Sequence, residues 1–209
     1  DIADMVIAAA RGEGLDVTDC GDVPTPALAL ASMGAGAAAV MVTGSHIPAD
    51  RNGLKFYVPG GEIGKADEAA ILANLGRKSA GLAGTVSVNT TSGADYVARN
   101  VAAYAGALQG KTIGVYSHSA VGRDLLLDIV AGLGATVVEL GRSATFIPVD
   151  TEAVDPAIRA QLKVWAREHN LDAIVSTDGD GDRPLLTDEH GEVIVGDILG
   201  QITGSALKA

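Results

Sequence analysis

The sequence predicts an α/β fold of two consecutive domains, with mixed, mostly parallel sheets flanked by helices. Short apolar strands alternate along the chain with helical segments of roughly 10–15 residues, which is the pattern that βαβ units produce. The alternation is interrupted in residues 81–93, which are rich in Gly, Ser and Thr, and it then resumes. We therefore expect one domain over residues 1–92 and a second over residues 93–196.

In the first predicted domain, the opening helix and a central strand have the clearest patterns. Apolar residues recur at helical spacing from Ile2 to Ala9, and Gly12 ends the helix. Residues 35–44 are small and apolar throughout, as expected of a parallel strand covered on both faces. The predicted elements are helices over 1–12, 26–33 and 65–75 and strands over 15–21, 35–44 and 54–58.

The second predicted domain repeats this alternation. One of its helices has Pro156 in its first turn and places Ile158, Leu162 and Trp165 on a single face. The predicted elements are helices over 94–108, 121–134 and 155–170, strands over 111–118, 135–140 and 171–178, and a hairpin over 184–195.

Composition and charge exclude several classes of partner and site. The chain has 15 Lys+Arg against 26 Asp+Glu, a formal net charge of −11, which argues against nucleic acid and anionic membranes as partners. The single cysteine, Cys20, excludes a disulfide framework and a Cys-rich zinc site, and it favours a reduced cytoplasm. No apolar run approaches the roughly 18–20 residues of a membrane-spanning helix. The chain begins inside a helical pattern without Met, so we expect a piece of a longer protein.

An acidic motif stands at the end of the predicted strand 171–178. Asp178, Asp180 and Asp182 alternate with glycines, and Arg183 follows at once. Three carboxylates held together need a cation, and oxygen ligands without His or Cys indicate Mg²⁺ over zinc. A solvated acidic turn is the alternative. An EF-hand calcium loop has the same Asp spacing, but it requires Gly where Arg183 stands and helices on both sides.

A second polar loop follows the predicted strand 35–44. Ser45 could act there as an exposed nucleophile, with His46 beside it and Lys55 returning from the next strand. An ordinary Ser/Thr turn is the alternative, and the lack of a G-x-S-x-G motif disfavours a serine hydrolase.

The remaining histidines have simpler interpretations. His118 and Ser119 end a strand, and Ser119 is predicted to cap the helix that follows. His169 is expected at a helix C-terminus, where a cation is favourable, and His190 in an exposed hairpin turn.

Three motifs together resemble those of the α-D-phosphohexomutase superfamily. They are TGSHIPADRNGLKFY (43–57), HSAVGRDLL (118–126) and STDGDGDRPLL (176–186). Within the superfamily, the chain is most similar to the bacterial phosphomannomutases and phosphomannomutase/phosphoglucomutases, and the resemblance covers the first two domains of such a protein. It implies that residues 197–209 open a third domain, and that these 209 residues alone do not turn over substrate.

The resemblance also implies a reaction and a site between the two domains. A phosphoserine phosphorylates a hexose 1- or 6-phosphate, the hexose 1,6-bisphosphate reorients, and the other phosphate returns to the serine. Mg²⁺ assists, while residues of the serine loop serve in proton transfer and charge stabilisation. The implied catalytic residues are Ser45, His46, Lys55 and Arg183, and the implied metal ligands are Asp178, Asp180, Asp182 and an oxygen of phosphorylated Ser45.

One position departs from the family pattern, and two other functions stay open. Ile47 stands where the serine loop commonly has Asn, so the hydrogen bonds of that Asn are missing. A phosphoglucomutase or phosphoglucosamine mutase is a close alternative, and a non-catalytic metal-binding fragment is a more distant one. A dinucleotide-binding protein is disfavoured, because no G-x-G-x-x-G follows the first strand.

Overall fold

The structure is a computed structural model that describes residues 1–44, 51–77 and 81–207. Within these residues the chain divides into two compact units. The first contains residues 1–43 and 52–93, and the second contains residues 94–207 together with residues 44 and 51. No helix in the described residues is long and apolar enough to cross a membrane.

The first unit carries two small sheets and three helices among its described residues. A capping box formed by Asp1 and Asp4 starts the first helix, and prolines open the second. The elements are α1 (Ile2–Gly12), β1 (Val17–Asp19), α2 (Thr25–Gly34), β2 (Ala39–Thr43), β3 (Gly53–Val58), β4 (Gly61–Glu62), α3 (Lys65–Ala73) and β5 (Val86–Val88). Strands β2, β3 and β4 form an antiparallel sheet, while β1 and β5 form a parallel pair.

The prediction of a parallel strand over residues 35–44 was wrong. In the described part of the chain, β2 pairs only with β3, and the two strands run antiparallel. Few residues separate the two strands, whereas a parallel connection requires a crossover of about a dozen or more. Thr43 is the buried residue of β2, and the others are partly exposed, so the strand is not covered on both faces.

The segment predicted as a domain boundary contributes strand β5 to the first unit. Its small residues did not indicate a strand, yet the segment contains a short one that pairs with β1. One side chain at the start of this pair supports it, because Asp16 Oδ1 accepts hydrogen bonds from both the amide and the hydroxyl of Thr85, at 2.8 and 2.7 Å.

The second unit is built on one five-stranded mixed sheet. Its elements are α4 (Ser92–Ala103, which starts at the boundary), β6 (Thr112–Tyr116), α5 (Arg123–Gly132), β7 (Thr136–Leu140), α6 (Pro156–Glu168), β8 (Ala173–Thr177), β9 (Pro184–Thr187), β10 (Val193–Ile194) and α7 (Gly196–Leu207). The strand order is β10-β9-β8-β6-β7, with β6 parallel to β7 and β8, and β9 antiparallel to β8 and β10. The predicted mixed α/β class is confirmed.

The core of the second unit leaves no room beside the inner strand β6. Leu162, Ile174 and Leu185 are fully or almost fully buried in its larger apolar cluster. A Cβ added to Gly114 of β6 would lie 2.7 Å from side-chain carbons of Leu140 and Leu171. The tight packing holds β6 and β8 side by side, and because they are parallel, their carboxyl ends meet at one edge of the sheet.

Candidate metal centre

The acidic motif lies at the carboxyl end of β8, in the loop that leads into β9. We call residues 178–183 the metal loop. Carboxylate oxygens of Asp178, Asp180 and Asp182 all lie within 4.8 Å of one another. Asp178 is fully buried and Asp180 is 3% exposed, whereas Asp182 is partly exposed. The structure thus brings together the three carboxylates that the sequence singled out, and the burial of Asp178 and Asp180 disfavours a solvated acidic turn.

Backbone hydrogen bonds close the metal loop around Asp178. The amides of Gly181 and Arg183 both donate to Asp178 Oδ1, at 3.1 and 3.3 Å. The Asp178 amide donates to the carbonyl of Arg183 at 3.1 Å. Gly181 has φ +82°, a conformation that a residue with a side chain adopts only under strain. Gly181 therefore permits the turn on which the convergence of the carboxylates depends.

Arg183 is the cation that the structure places beside the acidic cluster. Its Nε lies 3.9 Å from Asp178 Oδ2 and 4.0 Å from Asp182 Oδ1. A single guanidinium cannot offset three negative charges, since two charges 4.8 Å apart repel by about 3.5 kcal/mol at an effective dielectric constant of about 20. The arrangement therefore favours a bound divalent cation.

The donor set fits a hard cation. All three groups are carboxylates, which suit Mg²⁺, Ca²⁺ or Mn²⁺ and not zinc. Strands β8 and β9 flank the loop, so the helical flanks of an EF-hand are absent from this part of the structure. The residues present therefore fit the Mg²⁺ that the motif predicts.

A second loop, residues 117–122 between β6 and α5, packs against the metal loop. The buried His118 ring lies with Nε2 2.8 Å from the carbonyl oxygen of Thr177, and the Val121 amide donates to the carbonyl of Gly179 at 3.0 Å. Burial lowers the pKa of His118, although its hydrogen bond to Thr177 opposes this shift. We call this segment the support loop.

The predicted cap at Ser119 was wrong. The residue before α5 is Gly122, which has no side chain to cap the helix. Ser119 Oγ instead accepts a hydrogen bond from the Ile147 amide at 2.8 Å and donates to the Ile147 carbonyl at 3.3 Å. Sequence reasoning considered only the following helix and missed this partner, because Ile147 lies beyond the next strand. The only signal for a contact with the metal loop was that both loops follow neighbouring strands.

The other predicted site residues belong to the first unit or lie outside the described residues. Lys55 is in β3, where it is partly exposed and in register with Met41 of β2. Ser45 and His46 lie outside the described residues. His169 directly follows α6 and His190 is in the exposed hairpin turn, as expected.

Comparison with known protein families shows which family the chain belongs to. Residues 1–82 match the α/β/α domain I of the phosphoglucomutase/phosphomannomutase family, and residues 94–191 match its α/β/α domain II. The chain belongs to this family. The serine and acidic motifs predicted a member of this family that resembles the phosphomannomutases, and that resemblance is confirmed.

Individual relatives point in the same direction. A phosphomannomutase of Sinorhizobium fredii is 50% identical over all of this chain, and one of Salmonella muenchen is 46% identical over all of it. The chain spans 46% and 44% of these two proteins, less than half of each. A phosphoglucosamine mutase of Alkalilimnicola ehrlichii is 31% identical over 89% of the chain, which spans 43% of that protein.

A solved structure shares the fold. It is a phosphoglucomutase/phosphomannomutase family protein from Burkholderia thailandensis, which superimposes with a TM-score of 0.80 over 98% of this chain and 48% of its own. At 24% identity, this similarity concerns the fold alone.

Proposed function

We propose that the protein is a Mg²⁺-dependent phosphosugar mutase of the phosphomannomutase type, which interconverts hexose 1-phosphate and hexose 6-phosphate. The observation that carries this proposal is the convergence of three carboxylates in the metal loop. The loop lies in a chain that is 50% identical to a phosphomannomutase over its whole length. Because the chain spans less than half of that relative, the activity proposed is that of the full-length protein.

The acidic cluster would hold the metal ion. Asp178, Asp180 and Asp182 each offer an oxygen, and an oxygen of phosphorylated Ser45 would complete the protein's share of the coordination. Bound Mg²⁺ would neutralise negative charge on the phosphoryl oxygens. Arg183 adds a positive charge to that of the metal ion, because its guanidinium is held beside the cluster by Asp178 and Asp182.

The reaction needs a phosphoryl donor that is regenerated. In the first half, the bond between Ser45 Oγ and phosphorus breaks while a sugar hydroxyl oxygen bonds to the phosphorus. The hydroxyl proton passes to a base, and the released Ser45 Oγ takes up a proton. The bisphosphorylated sugar then reorients. In the second half, its other phosphate returns to Ser45 Oγ, which gives up its proton to a base, and the sugar oxygen that is released takes up a proton.

Side chains near Ser45 in the sequence are proposed for the proton steps. His46 adjoins the serine, and Lys55 follows in β3. We propose that His46 and Lys55 move the proton and stabilise the charge that develops on the sugar oxygen, as the resemblance implies. Both residues can be tested separately from metal binding, because neither lies in the metal loop.

Identity favours a phosphomannomutase over a phosphoglucosamine mutase. The phosphoglucosamine mutase of Alkalilimnicola ehrlichii is 31% identical to the chain, well below the 46–50% of the two phosphomannomutases. The proposed substrates are accordingly mannose or glucose phosphates and the hexose 1,6-bisphosphate. We propose a reduced cytoplasm as the compartment, on the basis of the single cysteine.

Phosphorylation at Ser45 tests the proposal against a protein that only binds metal. Intact-mass spectrometry of the active full-length protein should show one added phosphate, which Ser45→Ala removes. The matched control is Ser87→Ala, which changes an exposed serine of β5 and should keep both phosphate and activity. Full mutase activity in Ser45→Ala would contradict the mechanism.

A further inference from the structure

The support loop donates hydrogen bonds to the carbonyls of the residues on either side of Asp178, Thr177 at the end of β8 and Gly179 in the metal loop. The carbonyl of Thr177 accepts from His118 Nε2 at 2.8 Å, and the carbonyl of Gly179 accepts from the Val121 amide at 3.0 Å. Between them, the carbonyl of Asp178 accepts from Thr177 Oγ1 at 2.9 Å. Each carbonyl on either side of Asp178 therefore has its own donor, and two of the three donors come from the support loop.

The peptide group between Thr177 and Asp178 is hydrogen-bonded at both its carbonyl and its amide. Its carbonyl bonds to His118, while its amide, that of Asp178, donates to the carbonyl of Arg183 at 3.1 Å. Because a peptide group is planar, two such bonds fix the orientation of the whole plane. That plane sets the direction in which the Asp178 side chain leaves the backbone. Removing the histidine bond would leave this carbonyl with only the longer bond from Ser176 Oγ, at 3.4 Å.

Geometry decides which tautomer of His118 makes this bond. A carbonyl oxygen can only accept, so Nε2 must carry the proton. The ring is fully buried, and Nδ1 has no hydrogen-bond partner in the described residues. The bond to Thr177 is thus the polar contact that orients this ring, together with packing against Tyr116 at a centroid distance of 5.1 Å.

The backbone of His118 is held in an uncommon conformation. Its φ is +28°, in the region that few residues with side chains adopt. Its carbonyl accepts from the Ser143 amide at 2.8 Å and from Arg123 Nη1 at 3.1 Å, and the same Nη1 also donates to the Ser143 carbonyl at 2.9 Å. Such strain persists only where the surroundings enforce it, and it is concentrated at functional sites.

We propose that His118 is a positioning residue of the metal centre, which orients Asp178 through the Thr177 carbonyl. The proposal rests on the proposed function in that Asp178 is taken to be a metal ligand. Groups that hydrogen-bond around metal ligands commonly change metal affinity by about 10- to 100-fold. His118 bonds to the backbone beside Asp178 and not to its carboxylate, so we expect metal affinity to change by about tenfold, at the lower end of that range.

Two amide substitutions separate this role from simple packing. In His118→Gln, the side-chain nitrogen lies the same number of bonds from Cα as the histidine Nε2, so it can reach Thr177. In His118→Asn, the nitrogen corresponds to Nδ1 and falls short. A left-handed backbone favours Asn over Gln, so backbone strain alone predicts the opposite order.

The experiment measures amide exchange in metal-free protein and Mn²⁺ binding by electron paramagnetic resonance. His118→Asn should speed exchange in the metal loop by roughly two- to tenfold, the effect of losing one hydrogen bond, and His118→Gln should not. Amides of the hairpin turn, residues 188–192, are the internal control and should be unchanged. His118→Asn should also bind Mn²⁺ about tenfold more weakly than His118→Gln.

Each outcome decides the proposal. Unchanged metal-loop exchange in His118→Asn would overturn it, as would equal acceleration of the metal loop and the hairpin turn in both variants, because that indicates a purely structural role. If the unmodified protein does not bind Mn²⁺, the proposed function fails, and the exchange data still decide whether His118 positions the loop.

Discussion

Neutralising one carboxylate of the metal loop should stabilise the metal-free protein. Asp180→Asn keeps the size of the side chain and removes one of three negative charges that lie within 4.8 Å of one another. Most substitutions of a buried residue are destabilising, so a gain in stability is a distinctive expectation. The same substitution should remove the stabilisation that Mg²⁺ provides.

The magnitude follows from the distances. At 4.8 Å and an effective dielectric constant of about 20, one pair of carboxylates repels by about 3.5 kcal/mol. Solvent screens the pair with the partly exposed Asp182, and the substitution also alters the other contacts of Asp180. We therefore expect a net gain of about 1–2 kcal/mol in the free energy of unfolding, or roughly 2–8 °C in melting temperature.

The fluorescence of Trp165 provides the assay. It is the single tryptophan of the chain and lies in α6, where it packs on Tyr116 at 5.4 Å, so its emission reports on the second unit. Melting is measured in EDTA and in Mg²⁺. At 100 times its dissociation constant, Mg²⁺ should add about 2.7 kcal/mol to the unmodified protein and almost nothing to Asp180→Asn.

Asp128→Asn is the matched control, because it makes the same change of charge on an exposed position of α5. It should alter neither the melting temperature in EDTA nor the response to Mg²⁺. If Asp180→Asn melts below the unmodified protein in EDTA, and Mg²⁺ stabilises both equally, then the carboxylates do not share a cation and the electrostatic reasoning is wrong.

Three further predictions concern turns, acid stability and the phosphoserine. Gly191→Ala should destabilise the second unit by at least about 2 kcal/mol in denaturant titrations, because its Cβ would lie 2.6 Å from the backbone of α6. The control Gly110→Ala has a similar positive φ but open space around its Cβ, so it should cost only about 1 kcal/mol. Hydrogen bonds from the Thr112 amide and then from Lys111 lower the pKa of Asp172 below 3.8. The stability from Asp172 is therefore present above its unfolded pKa and lost as the pH falls through the folded value, so urea midpoints measured from pH 6 to pH 3 should fall less steeply in Asp172→Asn. Ser45→Ala should lose the covalent phosphate and the mutase activity, while Mg²⁺ binding to the metal loop, measured by calorimetry, persists.

The metal loop was predictable because its chemistry is local. Three Asp residues at alternate positions carry the signal within five residues, and the preceding apolar strand predicts where they lie. The structure adds what that pattern cannot contain, which is the burial of Asp178 and its hydrogen bonds to the amides of Gly181 and Arg183.

Contacts between distant segments were not predictable in the same way. His118 and Thr177 bond across 59 residues of chain, and the partner of Ser119 lies 28 residues away. The predicted direction of the strand over residues 35–44 was wrong for a related reason. Its small apolar residues are compatible with either a parallel or an antiparallel neighbour, and only the short connection to β3 makes the pair antiparallel. The roles of Ser45 and His46 stay predictions, since both lie outside the described residues.

Conversion of mannose 1-phosphate to mannose 6-phosphate tests the central claim most directly. The full-length protein is incubated with Mg²⁺ and a catalytic amount of hexose 1,6-bisphosphate, and the two phosphate signals are followed by ³¹P nuclear magnetic resonance. We predict conversion toward equilibrium, slowed about a hundredfold or more by Asp180→Asn and unaffected by Asp128→Asn. Absence of conversion of both mannose and glucose phosphates by a folded protein that binds Mg²⁺, or full activity in Asp180→Asn, would contradict the account.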